Sequence, residues 1–510
     1  MTADAGAARR ALTTGALLAT LLAGALLLAP PLGTDLSAQA ARADFFDAYG
    51  LTPVDLRWYG GTVQYGYSLF TPALMAALGG GVAGARLAGV LALLAATLGL
   101  AVLLVRAGVP RPVPGVVLGA LAFAGNLVSG RVTFAVGVAC GLWALAALTA
   151  SRSWLHYGGA ALGAVLAGAA SPVAGLFVGL AGAALLLSRR IGAGLVLAGA
   201  AAVPLAVAAL LFAEGGRMNI SGLDAVRAIG AGLVVAVLVP VRVVRIGAAL
   251  SSVGVLAAYL VDTPVGLNAT RLATMFTLPV VVACVPWRRW LAVLSVGVAL
   301  AIWQPPVLVG DLRDAGNPTA DPQYFAPLLA ELASRGPVGR VEIPPTRNYW
   351  EAAYAARAVP LARGWLRQVD MARNGLFFDG RLDAPRYEAW LRDNGVSHVA
   401  LPDAPLSWVG APEAALIRAG LPYLTAVWSN AHWTLYQVAG RPSVVAGAAL
   451  VSSDGAAVTF EAAVPGPVLV RVAPSRWLRV HGPASAPISR SGRWIELRVS
   501  RPGRYTVTSR

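Results

Sequence analysis

The sequence predicts a polytopic α-helical membrane protein of about 11 transmembrane helices, followed by an extracytoplasmic α/β region and a small β-sandwich. Of the 510 residues, 57% are hydrophobic and only 13% are charged, and the mean hydropathy is +0.67. Soluble domains contain about 45–50% apolar and 25% charged residues, so an ordinary soluble protein and a disordered chain are both excluded. The long apolar segments all lie before residue 305, whereas residues 305–510 have a water-soluble composition.

A membrane-spanning helix needs about 20 apolar residues. The candidate spans are 12–31, 82–105, 114–128, 132–150, 157–170, 172–188, 191–213, 226–240, 245–261, 269–286 and 290–304. Segments 114–128 and 157–170 are short, so we expect these helices to be kinked, tilted or packed inside the bundle. The first segment is interpreted as a retained helix, because it is long and no small-residue cleavage site precedes Asp35.

Charge placement predicts the orientation of the chain. The net charge is +16, and all 40 basic residues are arginines. Before residue 305, most arginines fall on the side of the N-terminus and all acids except Asp4 fall on the other. Because cytoplasmic loops retain positive charge, we expect a plasma-membrane protein with a cytoplasmic N-terminus and residues 305–510 outside the cytoplasm. The arginines are scattered rather than clustered, which argues against a nucleic-acid partner.

Three domains are expected. Residues 1–304 form the transmembrane domain, with a large outer loop at 32–81; residues 305–440 form an α/β domain; residues 441–510 form a β-sandwich-like domain of short alternating strands. The predicted cytoplasmic loops are too short for a nucleotide-binding domain. With only Cys140 and Cys284, a disulfide framework and a cysteine-based zinc site are excluded.

Carboxylates of the outer loop are the candidate catalytic groups. Asp35 directly follows the first span, at the outer membrane boundary. Partial desolvation there suits a carboxylate to proton abstraction, although Asp35 also fits a helix N-cap. Asp44 and Asp47 are runners-up, on a segment (35–49) that is expected to form a short amphipathic helix at the interface.

Arginines at the outer ends of spans are the candidate phosphate ligands. Arg271 and Asn268 lie one turn apart at the start of a span, where free N–H groups and a guanidinium together suit an anion. Arg131 lies in the tight outer turn between two spans, and Arg57 in the first outer loop. The alternatives are an ion pair with Asp262 or another outer acid for Arg271, and a helix-end side chain reaching the interface for Arg131.

Aromatic residues of the outer loop are candidates for stacking on a sugar ring. Trp58, Tyr59 and Tyr65 lie beside the acids, although they also fit the aromatic belt of a membrane interface. No motif indicates a metal site or a nucleotide or redox cofactor. A divalent metal is compatible with the acids, but nothing in the sequence supports one.

In architecture the chain resembles the C-type glycosyltransferase superfamily (GT-C), which uses polyprenyl-phosphate sugars. Its segments Asp35-Leu-Ser-Ala-Gln, Arg57-Trp-Tyr-Gly-Gly and Gly-Tyr-Ser68 also resemble those of polytopic membrane proteins of high-GC bacteria. The resemblance implies a catalytic acid in the first outer loop, and Asp35 is the matching position. The Asp-Asp or Asp-Glu pair of some members is absent from this loop.

The favoured hypothesis is therefore a membrane glycosyltransferase that moves a sugar from a polyprenyl-phosphate donor to an extracytoplasmic acceptor, either an envelope glycan or a protein. Its partners would be the lipid bilayer, the donor and the acceptor. Nucleotide sugars are cytoplasmic, and the chain offers no cytoplasmic site for them. Two alternatives remain open: a transporter or flippase of lipid or polysaccharide, because intramembrane arginines also suit a transport path, and a non-catalytic envelope scaffold.

Overall fold

The computed structural model describes residues 5–285, 290–303 and 308–510. The chain divides into two compact units, the first made of Met1–Gln39 and Tyr65–Ala315 and the second of Ala40–Gln64 and Gly316–Arg510. Residues 40–64, which were expected in the transmembrane domain, instead belong to the second unit. There Val54 and Leu56 join the core of the C-terminal strands.

The first unit is helical. Its helices are α1 (Ala5–Leu28), α2 (Leu36–Tyr49, which the boundary between the units divides), α3 (Thr71–Ala77), α4 (Gly81–Arg106), α5 (Pro112–Val128), α6 (Val132–Ala147), α7 (Ser153–Ala170), α8 (Pro172–Leu187), α9 (Ile191–Leu211), α10 (Gly222–Leu238), α11 (Arg242–Leu260), α12 (Arg271–Cys284), α13 (Trp290–Trp303) and α14 (Leu308–Arg313). Each predicted span overlaps one of these helices.

Among the described residues, five helical segments are long and apolar enough to cross a membrane: Ala5–Leu28, Gly81–Arg106, Ile191–Leu211, Arg242–Leu260 and Gly266–Cys284. The chain is therefore a multi-pass membrane protein. The predicted count of 11 spans is not confirmed, because other apolar helices, such as α5, α6 and α8, have only 16 or 17 residues.

Small residues set the spacing of the apolar helices. A Cβ atom at Gly163 of α7 would lie 2.8 Å from the Cβ of Ala144 of α6, and one at Gly137 would lie 3.1 Å from the carbonyl oxygen of Ala167. Lipid removes the hydrophobic driving force between helices, so close backbone packing of this kind carries much of the association.

Helix α2 confirms the helix predicted at 35–49, but its expected position at an interface is wrong for its first half. All residues from Leu36 to Ala43 are buried, including the polar Ser37, Gln39 and Arg42. An interfacial amphipathic helix would expose its polar face. The start of α2 is therefore a core element, which holds the residue before it, Asp35, in a defined position.

The second unit contains an α/β layer and a β-rich C-terminal region. Its helices are α15 (Ala326–Ser334), α16 (Glu351–Tyr354), α17 (Arg367–Arg373), α18 (Ala384–Asp393) and α19 (Gly410–Arg418). Its strands are β1 (Val54–Asp55), β2 (Thr62–Val63), β3 (Arg340–Glu342), β4 (Val396–Pro402), β5 (Leu424–Ser429), β6 (Trp433–Val438), β7 (Val445–Ala446), β8 (Ala449–Ser453), β9 (Ala457–Ala462), β10 (Gly466–Val470), β11 (Arg479–His481), β12 (Ile488–Ser491), β13 (Trp494–Val499) and β14 (Gly503–Thr508).

Three four-stranded sheets organise this unit. The α/β layer has the strand order β3-β4-β6-β5, with β3 and β4 parallel and the other pairs antiparallel. The C-terminal sheets have the orders β12-β13-β10-β7 and β11-β14-β9-β8. Alternating side chains from both C-terminal sheets, such as Phe460, Val470, Ile495 and Tyr505, share one buried core, as expected when two antiparallel sheets pack face to face.

Candidate functional site

Two glycine turns position Asp35 beside the loop between α5 and α6. The Asp35 N–H donates to the Ser129 carbonyl over 3.2 Å. Gly33 and Gly130 have φ values of 93° and 76°, which favour glycine. A Cβ at Gly33 would lie 2.6 Å from the Gly130 nitrogen, and one at Gly130 would lie 2.7 Å from the Leu36 Cα. The absence of side chains at both positions allows the two segments to meet.

The structure brings together three of the residues singled out in the sequence. Arg131 Nε lies 3.2 Å from Asp35 Oδ2, and Arg271 Nη2 lies 3.9 Å from the same oxygen. The side chains of Asp35, Arg131 and Arg271 are 21%, 18% and 15% exposed. Two guanidinium groups thus share one partly exposed carboxylate oxygen. We call these three residues the Asp35 cluster.

The Arg271 guanidinium has an aromatic wall. Its Cζ lies 4.9 Å from the ring centre of the buried Phe134, a distance typical of a cation–π contact. Arg131 is close enough to repel it, and the Asp35 carboxylate attracts it. The Tyr67 hydroxyl accepts a hydrogen bond of 3.1 Å from Gln39 Nε2. Of the alternative pairings expected for Arg271, the one with Asp262 is not observed, and Asp262 pairs with Arg217 instead. The pairing with another acid is observed, and that acid is Asp35.

A second carboxylate beside this cluster was not anticipated. Asp311, on α14, accepts a 2.6 Å hydrogen bond from Ser129 Oγ and a 3.3 Å bond from the Thr34 N–H. Burial raises its pKa, and Arg131 and Asp35 lie within electrostatic range. Sequence reasoning missed Asp311 because it assigned everything after residue 304 to the outer domains. An acid in the apolar run Val307-Leu-Val-Gly-Asp311 was the available signal.

The expected helix N-terminus with free N–H groups is wrong. A 3₁₀ turn, Gly266–Thr270, precedes α12, and its N–H groups already have acceptors. Gly266 donates to Thr263 Oγ1, Leu267 to the Asn219 carbonyl, Asn268 to the Val265 carbonyl and Arg271 to the Asn268 carbonyl. An anion at this position would therefore rely on the Arg271 side chain rather than on helix N–H groups.

The structure argues against the roles expected for Arg57, Trp58 and Tyr59. The Arg57 guanidinium is buried in a bidentate pair with Asp55, with an Nη2–Oδ2 distance of 2.7 Å. Trp58 and Tyr59 are 0% and 1% exposed, and their polar atoms bond to carbonyls of the second unit. Enclosed side chains can neither hold a phosphate nor stack on a sugar, and they cannot form a membrane belt. The three residues are core residues of the second unit.

The remaining candidates are Tyr65, Asp44 and Asp47, and the contacts described for them do not involve the Asp35 cluster. Tyr65 packs against Phe212, with ring centres 5.2 Å apart. Asp44 pairs with Arg357 over 2.5 Å, and burial raises its pKa. Asp47 is exposed. These observations therefore give Tyr65, Asp44 and Asp47 no direct contact with Asp35.

A small apolar groove adjoins the Asp35 cluster within the first unit. Leu32 and Leu36 on either side of Asp35 line it, as does Val132, the neighbour of Arg131. Arg86 also lines the groove. Its guanidinium donates to the carbonyl of Leu26, in the last turn of α1, and to the carbonyl of Ala29, the residue after the helix. Charged groups and an apolar surface thus lie side by side.

Within residues 5–285, 290–303 and 308–510, no group of three or more His, Cys, Asp or Glu side chains is arranged to hold a metal ion. The acids at this site are Asp35, in the Asp35 cluster, and Asp311, beside it. Their neighbours are arginines and hydroxyl or backbone donors, which are not cation ligands in this geometry.

No protein-family model matches the chain, and no curated protein matches it significantly. Among solved structures, it is similar to a cryo-EM structure of a mutant of the arabinofuranosyltransferase AftD from Mycobacteria, with 14% identity and a TM-score of 0.46. The match covers 98% of this chain and 60% of that one, so the chain spans about three fifths of its length. A likeness at this level carries no argument about the activity, substrate or partners of this chain.

Proposed function

We propose that this chain is a membrane glycosyltransferase that moves a sugar from a polyprenyl-phosphate donor to an extracytoplasmic acceptor, an envelope glycan or a protein. The observation that supports the proposal is the meeting of Arg131 and Arg271 at one oxygen of Asp35, beside an apolar groove. A lipid phosphate needs cations for its head and an apolar surface for its chain, and an acceptor alcohol needs a base.

The electrostatics of the Asp35 cluster favour an added anion. Arg131 and Arg271 repel each other, and the contact from Arg271 to Asp35 is long at 3.9 Å. A phosphate group accepts charge-assisted hydrogen bonds from guanidinium groups, often two at once. A phosphate between the two arginines would offset their repulsion and leave the Asp35 carboxylate available to the acceptor.

The proposed step balances as a single displacement. The acceptor oxygen forms a bond to the anomeric carbon, the bond from that carbon to the phosphate oxygen breaks, and its electron pair leaves with polyprenyl phosphate. The acceptor proton goes to the Asp35 carboxylate. Arg131 and Arg271 stabilise the charge that develops on the leaving phosphate, and electrostatic stabilisation of this kind usually contributes more to catalysis than any other effect. Asp311 positions the loops of Thr34 and Ser129, which carry the cluster.

The decisive test is Asp35→Asn in the full chain, with transfer from a polyprenyl-phosphate sugar as the measurement. Loss of a general base typically costs about 100–10,000-fold in rate. We expect a decrease in this range in kcat, with donor binding retained, since both guanidinium groups remain. Asp47→Asn, which alters an exposed acid of the same loop region, is the matched control and should leave transfer unchanged.

Transfer by Asp35→Asn at the wild-type rate would refute the assignment of the base. A wild-type protein that translocates the donor between leaflets without forming a glycosidic bond would refute the proposed reaction and favour a flippase. Arg271→Gln and Arg131→Gln extend the test, because each should raise the KM for the donor more than that for the acceptor.

A further inference from the structure

Three arginines of the second unit meet at the end of helix α18. Arg471 Nε donates to the carbonyl of Asp393, the last residue of α18, over 3.0 Å, and Arg493 Nη1 lies 3.5 Å from Asp393 Oδ2. The buried Arg340 donates to the carbonyls of Asn394 and Arg471. We call Arg340, Arg471, Arg493 and Asp393 the Arg493 site.

The Arg493 site holds more positive charge than its surroundings offset. Burial and repulsion by three neighbouring arginines lower the pKa of Arg340 to about 9. These neighbours are Arg493, Arg471 and Arg373. The acid that attracts the three arginines of the site is Asp393. Its single negative charge, together with about half a charge at the C-terminus of α18, leaves more than one positive charge without a counter-charge.

Arg493 is the weakly paired member of the site. Its contact of 3.5 Å with Asp393 is longer than the charge-assisted hydrogen bond of about 2.7–2.9 Å that arginine makes with a carboxylate. The Asp393 carboxylate is also shared, because its Oδ1 accepts a 3.1 Å bond from Trp494 Nε1. The Arg493 guanidinium lies against the Trp494 ring, with its Cζ 4.6 Å from the ring centre. An added anion can therefore pair with Arg493 without breaking a strong hydrogen bond.

Solvent reaches the groups that a ligand would contact. The side chains of Arg493 and Asp393 are 30% and 50% exposed, and Arg471 is also partly exposed. Because Arg471 and Arg493 both contact Asp393, their side chains are neighbours at this surface. Arg340 is only 2% exposed. It is out of reach of a ligand and acts through its charge alone.

The excess charge selects the ligand. A cation would be repelled, and a neutral ligand would leave the positive charge uncompensated. A single carboxylate is already present in Asp393, and it does not offset the three arginines. A phosphate monoester carries a charge of about −1.5 to −2 at pH 7 and three oxygens that accept hydrogen bonds. Guanidinium groups bind phosphate through charge-assisted hydrogen bonds. A phosphate group therefore matches the site in charge and in hydrogen bonding.

We propose that Arg471 and Arg493 bind a phosphate group, with Arg340 adding positive charge from the interior. Free phosphate and a phosphorylated sugar offer the same chemistry, and the experiment distinguishes them. The site lies within the second unit and shares no residue with the proposed transfer reaction. Its test is equilibrium binding, so the failure of either proposal leaves the other unaffected.

The experiment titrates ligands into the full-length protein in an uncharged detergent at constant ionic strength, with calorimetry as the readout. The ligands are inorganic phosphate, glucose 6-phosphate, glucose and acetate. We expect both phosphates to bind, and glucose and acetate to bind at least about tenfold more weakly, because they lack the second negative charge. Tighter binding of glucose 6-phosphate would assign the site to a phosphorylated sugar. Equal or tighter binding of inorganic phosphate would assign it to the free anion.

Three variants separate the site from other arginines. Arg493→Gln should weaken phosphate binding about tenfold or more, through loss of charge-assisted hydrogen bonds. Arg498→Gln, which removes the same charge from an exposed position near the other end of β13, is the control and should bind as the wild type does. Arg271→Gln should also keep this binding, which distinguishes the site from the phosphate position proposed beside Asp35.

Asp393→Asn gives the opposite sign. It removes a negative charge that competes with the ligand, so phosphate should bind about two- to fivefold more tightly. A purely structural role of the arginines predicts no such gain, and the gain does not depend on the folding of Arg493→Gln. Absence of phosphate binding by the wild type at about 10 mM would overturn the proposal. So would equal affinity of the wild type and Arg493→Gln, acetate binding as tight as that of phosphate, or no gain in Asp393→Asn.

Discussion

The Asp35 cluster in the first unit and a charge cluster in the second unit use the same residue types but differ in how closed they are. The second consists of Arg363, Glu342, Asp370, Glu413 and Tyr387, and we call it the Arg363 cluster. Its ionic side chains are 0–4% exposed, against 15–21% in the Asp35 cluster. Arg363 pairs with Asp370 at 2.8 Å and with Glu413 at 3.1 Å.

The difference fits a structural role for the Arg363 cluster and the chemical role that we propose for the Asp35 cluster. In the Arg363 cluster, acids surround one cation, and the Tyr387 hydroxyl also donates to Glu413 over 2.8 Å. Burial and the neighbouring Glu413 raise the pKa of Glu342 well above its usual range. Partners within the fold thus satisfy the Arg363 side chain. In the Asp35 cluster, two cations share one acid that solvent reaches, so the acid offsets only part of their positive charge.

The largest expected effect on stability is that of Arg363→Ala. This variant leaves Asp370 and Glu413 buried without their cation, which typically destabilises a protein by about 3–5 kcal/mol. Urea unfolding of the full chain in detergent, followed by tryptophan fluorescence, measures the change. Arg381→Ala is the control, because the pair of Arg381 with Asp379 is largely exposed and such pairs contribute about 0–1 kcal/mol. If both variants lost the same free energy of unfolding, burial would not be what distinguishes the Arg363 cluster.

The next effect concerns the pH dependence of the second unit. Burial raises the pKa of Glu351 to about 8 from its usual value of 4.5. Between these two pH values the folded state holds a proton that the unfolded state has lost, so stability falls as the pH rises, by an amount on the order of a few kcal/mol. Glu351→Gln, which stays neutral, should flatten this part of the profile. Thermal unfolding from pH 5 to pH 8.5 tests this. Glu388→Gln, which alters a partly exposed pair partner of Arg392, is the control, and a Glu351→Gln profile as steep as that of the wild type would contradict the prediction.

The smallest expected change in stability concerns a glycine beside the Asp35 cluster. Gly130→Ala places a Cβ 2.7 Å from the Leu36 Cα, and crowding of this kind typically costs about 1–3 kcal/mol. Because the added methyl group should move Asp35 away from Arg131, we expect the proposed transfer rate of Gly130→Ala to fall about 100-fold. Gly108→Ala has a similar φ of 64° but no atom within 4 Å of the added Cβ. It should keep full activity, and retained activity in Gly130→Ala would show that the approach of the two loops is not needed.

Local pattern was enough to predict most elements. Strands β9 and β13 begin and end at the residues expected from alternation, Ala457–Ala462 and Trp494–Val499, because one face of each strand is buried and the side chains alternate. The apolar helices were equally predictable. The failures came where burial decides a role: Trp58 and Tyr59 have the composition of an interface or a sugar site, but the second unit encloses them.

The sequence by itself determined that this protein is rich in apolar helices and ends in β-strands, because backbone hydrogen bonding and the spacing of apolar residues are local properties. It also identified Asp35, Arg131 and Arg271 one by one. Only the tertiary structure decided that the three side chains meet and that Asp311, distant in sequence, joins their loops. Electrostatic interactions depend on distance and on burial in space, and neither quantity is written in the order of the residues.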